Sequence, residues 1–150
     1  MILLLLKGEL IMNIHDEVRN YFLKNKGKLT IKTLRGKVHN VYLSDDEKYI
    51  YSHTALRNQK IYLNCFDIVV NYLRDNGGRA KKGCGHNKAD KVGYGKCTPD
   101  TICWCIATKY YNHCSGESTF DPVFIICAIL ESTGICKNGY GVLELNSKYY

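Results

Sequence analysis

The feature that most constrains this chain is the stretch from Gly77 to Cys97, which sets Gly77, Gly78, Gly83, Gly85, Gly93 and Gly95 among Arg79, Lys81, Lys82, Lys88, Lys91 and Lys96. Glycine at that density suits neither a helix nor a sheet interior, because each one brings backbone freedom that folding must remove. The stretch therefore splits the sequence into an N-terminal part, 12–76, and a C-terminal part, 98–150. A connection of this length is either functional or a linker.

Residues 1–11 are set aside from the fold reading. The apolar run Ile2 to Leu6 is far shorter than the about 20 residues a membrane span requires, and no small-residue cleavage site follows it. Lys7-Gly8-Glu9 can be encoded by codons containing a bacterial ribosome-binding sequence, with Met12 at a suitable distance. The expected start is therefore Met12, with 1–11 a mistaken start or a disordered extension. A bacterial, cytoplasmic chain follows, in which reducing conditions keep the eight cysteines free.

Residues 12–76 predict the order α-β-β-β-α. Ile14, Val18 and Phe22 recur at helical spacing over 14–25, and Gly27 stops that helix. Leu29 to Leu34 and Val38 to Leu43 read as strands around the turn Arg35-Gly36-Lys37. Lys48 to His53 continues the meander after Ser44-Asp45-Asp46-Glu47. A second helix starts with Asn64 as N-cap and Asp67 in its first turn, carries Phe66, Val69, Val70 and Leu73 on its buried stripe, and ends at Asn76-Gly77-Gly78. This order, with Gly36-x-x-His39 between the first two strands, resembles double-stranded-RNA-binding domains. The resemblance is confined to element order: Lys37 stands where those domains carry proline, and the last helix lacks their lysine cluster.

In the C-terminal part, Thr98-Pro99-Asp100 predicts a helix start running to about Tyr111, and Asp121-Pro122 opens an all-round apolar helix over Val123 to Ser132. Lys137-Asn138-Gly139 is expected to turn the chain into a closing strand, Val142 to Leu145. The expected fold class is α+β: an N-terminal three-stranded antiparallel meander with two helices, then a small helical lobe with a C-terminal hairpin. A winged-helix use of the apolar helix is excluded, since it carries no side chain able to read a base edge.

Hydrophobic residues at 45% and charged residues at 23% describe a globular chain and argue against disorder or a coiled coil. The net charge of +7 comes largely from the glycine-rich tract, where six cations face one acid, Asp90. Glycines that let backbone N–H groups approach an anion, with lysines beside them, suit phosphate contact. The expected function is nucleic-acid binding, DNA or RNA, with little sequence specificity, through Arg79, Lys81, Lys82, Lys88, Lys91 and Lys96. A nucleotide-binding P-loop is excluded because Cys84 stands where its lysine belongs. Tyr49, Tyr51 and Tyr62 near the meander offer stacking surfaces for bases, although strand alternation alone also accounts for them.

Two further chemistries are written into the cysteines. Cys84, His86 and Cys97 with Cys114 or His113 are the expected tetrahedral zinc set, while Cys103 and Cys105 point about 200° apart on a helix and cannot easily share an ion. Alternatively, Cys97 before a helix N-terminus could act as a thiolate nucleophile in a hydrolase, with His86 or His53 as base. The segment Cys97 to Tyr111 resembles the nucleophile helix of bacteriocin-processing cysteine peptidases, but carries an apparent two-residue insertion and has no histidine after His113. A third class is a small protein-binding regulator or inhibitor encoded by a mobile element. Cys65 and Cys127 read as core.

Overall fold

The computed structural model describes the backbone of residues 2–6 and 9–150, and side chains from residue 13 onward. Lys7 and Gly8, within the segment set aside above, lie outside the described residues. Strands β1 (Ile2–Leu6) and β2 (Glu9–Met12) pair antiparallel with each other as a separate ladder.

Helix α1 (Ile14–Lys24) has Asp16 and Glu17 in its first turn and Lys24 in its last, each favourable to the helix dipole. It buries Val18 and Phe22 one turn apart, and Gly27, at φ +78°, closes it by donating its N–H to Phe22 O at 2.8 Å. Four strands follow as an antiparallel meander: β3 (Lys28–Lys32), β4 (Val38–Leu43), β5 (Tyr49–Tyr51) and β6 (Ile61–Tyr62). Alternation puts Leu29, Ile31, Val41, Leu43, Ile50 and Ile61 in the core. The fourth strand is an addition to the expected three. Its outer edge is closed by Tyr110, whose hydroxyl accepts the Tyr62 N–H at 2.8 Å.

Helix α2 (Asn64–Asp75) covers the meander with Phe66, Val69, Val70 and Leu73 fully buried. Asn64 does not cap it; Leu63 takes that position without a side-chain bond. Asp67 reaches instead to the start of α1, accepting from His15 N at 3.2 Å and bonding His15 Nδ1 at 2.8 Å. The two helices are thereby pinned to each other.

The glycine-rich tract, read from the sequence as a functional connection or a linker, begins as a strand, β7 (Arg79–Lys81), which joins β8 (Cys136–Gly139) and β9 (Val142–Leu145) in a sheet of order β7-β9-β8. Lys137-Asn138-Gly139 lies in β8. The chain reverses at Tyr140-Gly141, where Gly141 takes the left-handed φ of +68° that glycine adopts without steric cost.

Helix α3 (Ile102–Cys105) starts later than Thr98-Pro99-Asp100 suggested. Thr98 Oγ1 donates to Asp100 Oδ1 at 2.6 Å, forming a side-chain turn that competes with helix entry. Thr101 is the cap, accepting from Trp104 N at 3.1 Å. The helix then widens into a π-turn, Ile106–Tyr110, and α4 (Val123–Ser132) buries every residue from Ile125 to Leu130. The α+β class holds, and residues from Ile14 to Leu145 share one continuous buried cluster. Among the described residues, no helix is long and apolar enough to cross a membrane.

Candidate functional site

Beyond β7 the glycine-rich tract folds against the C-terminal helices through its own backbone. Lys82 N donates to Gly141 O at 2.9 Å, Cys103 N to Lys82 O at 2.9 Å and Cys84 N to Lys96 O at 3.0 Å. Asp90, buried inside the loop, accepts from Lys96 N at 2.8 Å and from Asn87 Nδ2 at 3.0 Å. These bonds, led by that from Lys96 N, hold its carboxyl below the ordinary range. The N–H groups of Gly85 and Lys96 are thus spent on the protein's own carboxylates. No phosphate cradle is built from them.

The six expected phosphate contacts divide accordingly. Arg79, Lys88, Lys91 and Lys96 are exposed and, among the described residues, make no ion pair. Lys81 is exposed but pairs with Asp100 at 3.2 Å. Lys82 leaves the surface altogether, being 3% exposed, with its Nζ 6.0 Å from the centre of the Phe124 ring. Burial lowers its pKa.

The zinc set is also rearranged. Ligand atoms of Cys84, His86 and Asp121 lie within 4.8 Å of one another, whereas Cys97 and Cys114 fall outside the group. Asp121 Oδ2 accepts from Gly85 N at 2.9 Å and stands 3.5 Å from His86 Nε2, while its Oδ1 accepts from Val123 N at 3.0 Å at the mouth of α4. Gly85 permits this approach, since a Cβ there would meet Thr119 Cγ2 at 2.9 Å and Cys103 Sγ at 3.1 Å. His86 stacks on Phe124, centroids 6.3 Å apart and planes 7° apart. Cys114 is exposed on a separate turn, where its N–H donates to Glu117.

Cys97 is fully buried, and its Sγ lies 3.5 Å from Cys103 Sγ. Burial pushes both thiols up. The helix expected to activate Cys97 begins only at Ile102, and among the described residues no hydrogen bond joins Cys97 to a histidine.

On the opposite side of the meander from its core, the alternation that buries Ile50 and Ile61 turns tyrosines outward. Tyr42 stacks on Tyr51 across β4 and β5, with centroids 5.5 Å and planes 26° apart, and Tyr49 meets Tyr62 across β5 and β6, also at 5.5 Å. His53 packs at 5.9 Å from Tyr51, and Lys60 Nζ lies 4.8 Å above Tyr49. Lys28 pairs opposite Tyr42 and shares the outward face of β3 with Lys32, both exposed. Tyr49, Tyr51, Asn58 and Lys60 line an open depression of 420 Å³ with Asp45 and Asp46. The exposed Asp46 carboxylate accepts from Ser44 Oγ at 2.6 Å and Lys48 N at 3.1 Å. Compared with protein-family models, curated proteins and solved structures, the chain matches none.

Proposed function

We propose that this protein binds nucleic acid with little sequence selectivity, stacking unpaired bases on the outer face of the meander and holding phosphates with lysines. The observation that carries the reading is the tyrosine ladder Tyr42–Tyr51 and Tyr49–Tyr62 beside Lys28, Lys32 and Lys60. A ring face accepts any base, and cations at the edge of an aromatic sheet neutralise the strand that threads over it. Arg79 on β7 and Lys88, Lys91 and Lys96 on the loop that follows, whose own hydrogen bonds fix its shape, add a second cationic surface. We place the protein in the reducing cytoplasm, in keeping with eight cysteines that are all unpaired.

Fluorescence anisotropy with labelled single-stranded DNA and RNA across a salt series tests this. Tyr51→Ala removes the ring that touches Tyr42, Tyr49 and His53. It is expected to cost about 1–3 kcal/mol, roughly 5- to 150-fold in Kd, with the salt slope unchanged. Replacing Lys88, Lys91 and Lys96 with alanine should flatten the slope by about 2, at about 0.7 per phosphate contact on a single strand. Failure to bind DNA or RNA at low salt overturns the proposal and favours a protein-binding regulator. Binding that ignores Tyr51→Ala and prefers duplex removes the stacking face and leaves a phosphate-only surface.

A further inference from the structure

We propose that Cys84, His86 and Asp121 form a binding site for one divalent transition-metal ion of zinc-like preference, with a coordination position open to solvent. This site is independent of nucleic-acid binding and needs none of the tyrosines. One thiol, one imidazole and one carboxylate supply the sulfur, nitrogen and oxygen donors that such ions accept together. Bonds of about 2.0–2.3 Å at tetrahedral angles separate donor atoms by about 3.3–3.5 Å. His86 Nε2 and Asp121 Oδ2 already stand 3.5 Å apart. With all three donor atoms within 4.8 Å, closing the set calls for a shift of about an ångström, within reach of a side-chain adjustment at Cys84.

The ligands are oriented before any ion arrives. Asp121 is fixed by the N–H groups of Gly85 and Val123, an outer set of bonds of the kind that sets ligand direction in metal sites. Cys84 Sγ accepts from His86 N at 3.5 Å, and Cys84 N donates to Lys96 O at 3.0 Å, in the loop that Asp90 braces through Lys96 N and Asn87. Buried Asp121 therefore brings to the site a negative charge whose hydrogen bonds come only from neutral backbone N–H groups, and a buried charge held in this way favours a cation beside it. The His86 side chain is 52% exposed and leaves the fourth direction open, the arrangement of three protein ligands plus an exchangeable one. Binding replaces the Cys84 S–H bond with a metal–sulfur bond, and the proton leaves to solvent.

Cobalt(II) titration of the full chain, followed by zinc competition, reads the site directly. One cobalt per chain is expected, with a sulfur-to-cobalt charge-transfer band and tetrahedral visible absorption, both abolished by one equivalent of zinc. Cys84→Ser should remove the charge-transfer band. His86→Ala, at a surface position that leaves folding intact by circular dichroism, should weaken cobalt binding by about tenfold or more. Cys97→Ser and Cys114→Ser should leave the spectrum unchanged. The proposal is overturned by absence of cobalt binding, by a charge-transfer band that survives Cys84→Ser or depends on Cys97, or by a folded His86→Ala that binds as tightly as the parent.

Discussion

Gly83→Ala is the sharpest probe of whether the basic tract is a fixed part of the fold. Gly83 sits at φ +71°, and a Cβ there would lie 2.6 Å from both Lys96 O and Thr101 Cβ. The left-handed backbone alone costs a side-chain-bearing residue about 1–2 kcal/mol. Relieving the overlap pushes Lys96 O away and opens the Cys84 N–Lys96 O bond, now 3.0 Å, worth about 0.5–1.5 kcal/mol. Overpacking against Thr101 adds about 1–3 kcal/mol. The expected loss is roughly 3–6 kcal/mol. Gly116→Ala is the control: its φ is +87°, and nothing lies within 4 Å of its Cβ position, so only the backbone component applies. Urea unfolding should show unchanged m-values and a gap of about 2–4 kcal/mol between the variants, equivalent to about 4–16 °C in Tm for a chain of this size. Equal losses in the two variants would refute the packing of the tract on Lys96 and Thr101.

Two further outcomes follow from burial and hydrogen bonding. Under native conditions a thiol-alkylating reagent should label Cys114 first and Cys84 next, while Cys65, Cys97, Cys103, Cys105, Cys127 and Cys136 react only on unfolding. Burial pushes Cys105 up to about 11 and Cys127 and Cys136 up to about 12; selective native labelling of Cys97, read by mass spectrometry, would restore its claim as a nucleophile. Asp90, whose carboxyl is lowered in the folded state, stabilises the fold above its ordinary pKa of 3.8 and loses that contribution as pH falls through the lowered value. Stability measured from pH 6 down to pH 2 (a range of about four units around the carboxylate pKa) should fall less steeply in Asp90→Asn than in the parent, and identical curves would contradict the assignment.

The elements that could be read locally are those whose pattern repeats within a few residues. Val18 with Phe22, and Ile50 between Tyr49 and Tyr51, declare a helix and a strand without help from elsewhere. What escaped depends on partners distant in sequence. β6 is two residues long and exists because Ile61 finds Ile50. β7 pairs Arg79 with Glu144, and its alternation continues far enough to send Ala80 and Lys82 inward, which a count of charges could not reveal. Asp121 was legible as a helix-start carboxylate, and Val123 N confirms that role. Its second oxygen faces Gly85 and His86, a convergence with no trace in spacing. Cys84 and His86 were legible as ligand types two residues apart, while Cys97 and Cys114 matched in type and differ in placement.

The position of β9 carries a consequence for how the chain folds. Its residues 142–145 form the middle of the three-stranded sheet, so β7 and β8 both depend on them for a partner. Arg79 pairs with Glu144, far along the sequence, a long-range closure that slows folding. Deleting residues 142–145 should therefore unseat β7 and β8 together, expose the apolar face they cover, and cost solubility out of proportion to the residues removed.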